Sequence, residues 1–137
     1  MQDQIVLRAT AKALMPFMMV FGIYVVMHGE GGPGGGFQGG VILAAAFILY
    51  SLVYGFERLD DIVPSRLTDV LAAAGVLLYA GVGVTTMLLG GNFLDYTMLK
   101  PSDPGAAQAW GMTLVEMGVG ITVASVMLTL FREFAEQ

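Results

Sequence analysis

"FQGGVILAAAFILYSLVYGF" runs from Phe37 to Phe56, twenty positions without one Asp, Glu, Lys or Arg. A helix of that length rises about 30 Å, the thickness of a bilayer's hydrocarbon core, and satisfies its own backbone hydrogen bonds. The stretch predicts a transmembrane helix. Three further runs, Ala9 to Met27, Val70 to Leu89 and Trp110 to Phe131, carry at most one charged residue each. Together the four leave only short ends and three connections, too little for a soluble domain with its own core. The predicted fold is an all-α integral membrane protein, a single domain over residues 1–137 built as a bundle of four transmembrane helices.

Composition agrees with that reading. The chain of 137 residues is 56% hydrophobic and 12% charged, with a mean hydropathy of +0.75, against roughly 25% charged in soluble domains. Arg8 and Lys12 ahead of the first apolar run imitate a secretory signal, but the run leads into "VVMHGEGGPGGG" and more spans instead of a small-residue cleavage site. It reads as a retained span. Cysteine is absent, which excludes a disulfide framework and a thiolate metal site. The net charge of -5 argues against a polybasic lipid-binding segment and against nucleic acid as a partner. Arg8, Lys12, Arg58, Arg66 and Arg132 fall on the side of both termini and Lys100 on the other. The positive-inside rule then predicts cytoplasmic termini and a first connection facing outward.

Immediately before the opening stretch, and overlapping it, lies "HGEGGPGGGFQGG", His28 to Gly40, with eight glycines in thirteen positions. Gly34, Gly36 and Gly39 match GxGxxG and Glu57 follows at a suggestive distance, but that fingerprint needs a preceding strand and a βαβ unit. A nucleotide site is rejected. Glycines accept backbone angles barred to other residues and let the chain approach a neighbouring helix closely, while Pro33 fixes one turn. The stretch is expected to be a tight, packed hairpin, either docked structurally or lining an ion path with Gly34, Gly35 and Gly36. Phe37 opens the second span as an aromatic plug or packing wedge, and His28 has no metal-ligand partners at diagnostic spacing.

The spans carry their own signals. Gly36, Gly40, Ala44, Ser51 and Gly55 in the second, and Ala72, Gly75, Gly83, Thr86 and Gly90 in the third, form small-residue seams that let helices approach for dispersion contacts. Pro16 in the first span predicts a kink or a packing role, and Lys12 snorkels to the interface. Thr85 and Thr86 either line a path or bond their own helix. In "FERLDDIVPSRLTD", Arg58 is expected to pair with Asp60 or Asp61 in solvent. Pro64 and Ser65 lead into the third helix, with Ser65 or Thr68 as its cap. Tyr96 and Trp110 fit an interfacial aromatic belt.

Glu116 is the only ionisable residue between Trp110 and Phe131. A carboxylate in the membrane costs several kcal/mol unless protonated, paired or hydrated, so it is a functional candidate, against the plain alternative of a permanently neutral, hydrogen-bonded acid. At about 100° per residue Thr113 and Gly120 share its side, whereas Gly111, Gly118, Thr122, Ser125 and Thr129 lie nearly opposite. Two opposed faces of one helix thus look protein-facing. Four helices are expected to leave one of them uncovered, which points to a larger membrane assembly.

"HGEGGPGGGFQGGVILAAAFIL" resembles the signature of the MnhB (MrpB) family, a membrane component of multisubunit Mrp (Mnh) type sodium/proton antiporters, and "MTLVEMGVGITV" resembles that family's last helix with Glu116 as its acid. Energy-converting hydrogenases carry a related membrane subunit. The likeness covers nearly the whole chain, although Glu30 stands where the family often has a histidine. It implies a non-enzymatic secondary-transporter subunit without cofactor, in a multi-pass prokaryotic cell membrane complex of about six or seven different proteins. The implied ions are Na+ and H+, exchanged for sodium tolerance and pH homeostasis, with this type of subunit in or near the sodium-translocating region. The ion-path candidates are Glu116, Phe37, Pro33, Gly34, Gly35, Gly36, His28 and Thr113, with no fixed metal and at most a transient Na+. A purely structural sealing subunit, or the equivalent subunit of a redox-driven ion pump, remains the alternative.

Overall fold

The computed structural model describes residues 2–29 and 31–136. They form helices α1 (Gln2–His28), α2 (Gly36–Tyr54), the short α3 (Phe56–Ile62), α4 (Ser65–Leu88) and α5 (Pro104–Ala135), with a 3₁₀ turn at Tyr96–Leu99. Four of them, α1, α2, α4 and α5, are long and apolar enough to cross a membrane. Because the chain reverses at each connection, both termini and α3 lie at one end of the bundle. The glycine-rich hairpin and the α4–α5 connection lie at the other.

Helix ends follow local chemistry. Sequence hydropathy starts the last span at Trp110, yet α5 begins at Pro104: proline sits in its first turn and the Asp103 carboxylate accepts a hydrogen bond from the Ala106 amide at 3.2 Å. Proline is preorganised for that position and the carboxylate takes an amide that the helix cannot pair. At the end of α2, Gly55 adopts φ +99° and its amide donates to the Ser51 carbonyl at 2.8 Å. This turn separates Phe56 from the second span and starts α3, whose Leu59 is fully buried. Pro64 precedes α4 as expected, but no side chain caps that helix. Thr68 instead donates back to the Ser65 carbonyl at 2.7 Å. In α1 the helix runs on through Pro16.

Side by side, the spans are ordered α1, α2, α5, α4, with α5 between α2 and α4 and α1 resting chiefly on α2. Both faces of α5 are therefore covered within this chain, which corrects the expectation that four helices leave one bare. The reason is the row-like arrangement: a helix in the middle of a row has two opposed neighbours, whereas one in a ring has two adjacent ones. Against α4, Gly75 and Gly118 bring the backbones together, so that a methyl group on Gly118 would stand 2.8 Å from the Gly75 carbonyl oxygen. Thr122 adds a 3.3 Å hydrogen bond to the Ala72 carbonyl. Thr85 and Thr86 bond carbonyls of their own helix, Gly81 and Gly83, at 2.7 and 2.8 Å. An apolar cluster of Ala44, Leu59, Val63 and Leu128 closes the terminal end.

Candidate functional site: the glycine hairpin over Glu116

The hairpin folds back onto α1. The Gly35 amide donates to the Val25 carbonyl at 3.0 Å and the Gly31 amide to the His28 carbonyl at 3.2 Å. Gly35 holds φ +136°, a conformation that side chains with a Cβ rarely adopt. At Gly34 space is the limit, since a methyl group there would stand 2.8 Å from the Val25 carbonyl oxygen. Two glycines thus serve one turn for different reasons.

Glu116 lies directly against this turn. A methyl group on Gly29 would overlap its carboxyl, and one on Gly35 would stand 3.6 Å from Oε1. Gly36 then rests on the backbone of the same residue: a methyl group would overlap the Glu116 carbonyl oxygen and reach 3.0 Å from the Gly120 nitrogen. One turn further, a methyl group on Gly40 would stand 2.7 Å from the Gly120 carbonyl oxygen. The hairpin and the first turn of α2 are moulded around a half-buried carboxyl and the helix that carries it. By helix rise, that carboxyl sits about 9 Å along α5 from Trp110.

The other candidates are placed differently. Thr113 is half-buried on α5 and its hydroxyl donates to the Ala109 carbonyl at 2.9 Å. Phe37 is 62% exposed. Pro33 is exposed in the turn, and His28 is exposed with its ring stacked on Tyr24 at 5.0 Å. Glu116, Gly34, Gly35 and Gly36 are thus gathered, joined by Gly29, while Phe37, Pro33 and His28 lie on the surface of the same end. Glu30 lies outside the described residues. Among the described residues no group of three His, Cys, Asp or Glu side chains converges as a fixed metal would require.

Two features escaped the sequence reading. Tyr96 packs inward: its ring rests on Gly111, where a methyl group would stand 2.6 Å from Cγ. Burial, then the fields of Tyr79 and Glu116, raise its pKa above the ordinary 10.0. Phe93 wedges likewise onto Gly83, so the α4–α5 connection is pinned to both helices. No residue spacing signals such a pairing, because the ring and its glycine lie on different elements.

The second is Arg132, only 7% exposed. Its guanidinium donates to Thr68 Oγ1 at 3.1 Å and to the Val63 carbonyl, and it pairs with Asp60 at 3.2 Å. Asp60 therefore meets Arg132 and not Arg58 as the sequence suggested. Arg132 reaches that carboxylate from beneath the α3–α4 corner, while Arg58 lies with residues of α1 and α2. The signal was present: Arg132 continues the Ser125–Thr129 face of α5 by one turn.

The comparisons with known proteins follow the whole chain. A family model described as a domain related to the MnhB subunit of Na+/H+ antiporters matches residues 6–129. The B-type Na+/H+ antiporter subunit of Bacillus subtilis (strain 168) is 27% identical over 137 residues, covering 98% of this chain and 95% of that protein. Putative antiporter subunits mnhB2 of Staphylococcus haemolyticus (strain JCSC1435) and Staphylococcus aureus (strain Newman) are 30% and 31% identical, each covering 94% of this chain and 92% of the relative. With the match spanning all four membrane helices and the glycine hairpin, the chain belongs to the MnhB family of antiporter-subunit domains.

Proposed function

We propose that this chain is a non-catalytic subunit of a multisubunit Na+/H+ antiporter in a prokaryotic cell membrane, and that Glu116 is its ionisable element. The observation that carries the reading is the enclosure of the Glu116 carboxyl by Gly29 and Gly35, with the α2 backbone seated on the same residue through Gly36. A carboxyl in a membrane span can bind either a proton or Na+, and exchange of one for the other at Glu116 is the step proposed. Gly34, Gly35 and Gly36 fix the wall of that site, and Thr113 extends it along α5. The exposed Phe37, Pro33 and His28 face neighbouring subunits of an assembly of about six or seven different membrane proteins, with both termini cytoplasmic.

The test is Na+-dependent proton exchange in everted vesicles that contain the assembled complex. Glu116→Gln is expected to abolish exchange while the complex assembles, and Glu116→Asp to retain part of it. Undiminished exchange with Glu116→Gln would assign the chain the sealing role instead.

A further inference from the structure

Away from the hairpin, at the end of the bundle that holds both termini, α1, α2 and α3 line an open cavity of about 400 Å³ in which Lys12 and Arg58 are exposed. Its walls are graded. Lys12 and Arg58 line it toward the terminal end, and Met15, Pro16 and Met19 of α1 continue it deeper, opposite Tyr50 and Tyr54. Tyr54 donates its hydroxyl to the Arg8 carbonyl at 3.0 Å, which ties α2 to α1 next to the cavity. Its ring stands 4.8 Å from that of Tyr50.

Neither cation pairs with a carboxylate among the described residues, whereas Arg132 pairs with Asp60. No described carboxylate therefore lies within 4.0 Å of Lys12 or Arg58. Two cations brought to one cavity from distant points in the sequence repel each other unless an anion joins them. From Lys12 to Met19 is about 10 Å along the helix, enough to pass from a headgroup to the first acyl carbons. The wall also changes from charged to apolar in that direction, as a phospholipid does. Across the cavity's outer side, α1 is the least covered span, with Phe17, Val20 and Phe21 exposed.

We propose that this cavity binds one anionic phospholipid, its phosphate between Lys12 and Arg58 and its upper acyl chain against Met15, Pro16 and Met19. Basic pockets between transmembrane helices hold anionic headgroups in this manner. The site requires only that the helices stand in a bilayer, so it is independent of the ion-exchange reading. It is also invisible to net charge, because the cations converge from separate helices and form no basic run.

The experiment uses membranes containing the full-length chain in its assembled complex and photoactivatable phosphatidylglycerol or phosphatidylcholine, with cross-links mapped by peptide sequencing. Phosphatidylglycerol is expected to label residues 15–19 on the order of tenfold more than phosphatidylcholine, and Lys12→Gln with Arg58→Gln to remove that preference. Lys12→Arg with Arg58→Lys keeps the charges and is expected to retain the labelling. Met15→Trp fills the cavity without altering charge and is expected to lower it, which keeps the test valid should the glutamine pair fail to assemble. Unlabelled phosphatidylglycerol competes and inorganic phosphate does not. Equal labelling by the two lipids, an unchanged glutamine pair, competition by inorganic phosphate, or no labelling because a neighbouring subunit fills the cavity would each overturn the proposal.

Discussion

At the scale of single residues, glycine does two separable jobs in this chain. At Gly75 a Cβ would overlap the Thr122 hydroxyl and stand 2.5 Å from the Gly118 carbonyl oxygen, whereas at Gly81 it would meet nothing within 4 Å. Gly75→Ala is therefore expected to force α4 away from α5 at a cost of about 1–3 kcal/mol, read as a lower melting temperature in detergent. Gly81→Ala removes a poor helix former at a vacant surface, so the same measurement should show no loss and up to about 1 kcal/mol of gain. Composition cannot separate these two glycines. The seam of Gly36, Gly40 and Gly75 was legible in the sequence because small residues at helical spacing mark contact. Which helix each would touch was not, because an apolar span has the same pattern whatever its neighbour.

At the scale of elements, two polar devices hold the ends of the spans. Arg132 joins α5 to the α3–α4 corner through Thr68, Val63 and Asp60. Because Asp60 is 58% exposed, water takes over its charge when the arginine is removed, so the full cost of an orphaned buried ion does not apply. Arg132→Ala should lower stability by about 1–3 kcal/mol, the worth of charge-assisted hydrogen bonds, and Arg132→Met should recover the part that is packing. A thermal-shift comparison of the two variants separates packing from pairing.

At the opposite end, Tyr96 pins the α4–α5 connection. Its folded pKa is raised above the unfolded 10.0, so the proton stabilises the folded form. That contribution is complete below about pH 10 and is lost as pH rises through the folded value. The wild-type protein should accordingly lose stability above pH 10 more steeply than Tyr96→Phe, as followed by circular dichroism across an alkaline titration. The existence of the four spans was legible because lipid demands long apolar helices. These clasps were not, since each depends on which distant backbone a long side chain reaches. The inward turn of Tyr96 onto Gly111 shows the difficulty: interfacial tyrosines are common, and only the folded connection reveals that this one has a glycine beneath it.

At the scale of the whole molecule, the row α1, α2, α5, α4 explains why α5 carries small or polar residues on two opposed faces. One face receives the glycine hairpin and α2, the other receives α4 through Gly75, Gly118 and Thr122. The chain has no cysteine, so introduced pairs report this order cleanly. Ala72→Cys with Thr122→Cys should form a disulfide under mild oxidation, whereas pairing Ala72→Cys with a cysteine at Met19 on α1 should not. The arrangement also sets the Glu116 carboxyl beneath the hairpin, at the junction of α2 and α5, where a small movement of either helix alters its surroundings. Glu116 stands out in the sequence by its isolation in an apolar run. Its enclosure by Gly29 and Gly35 does not, because the glycine hairpin and Glu116 are about eighty residues apart in the chain.

The proposed transport role for this subunit rests on Glu116 exchanging a proton as Na+ arrives. Infrared difference spectroscopy of the assembled complex, with and without Na+, observes that carboxyl directly. The predicted result is a Na+-induced loss of a protonated carboxyl band in the wild type that is missing in Glu116→Gln. The same band change persisting in Glu116→Gln would contradict it.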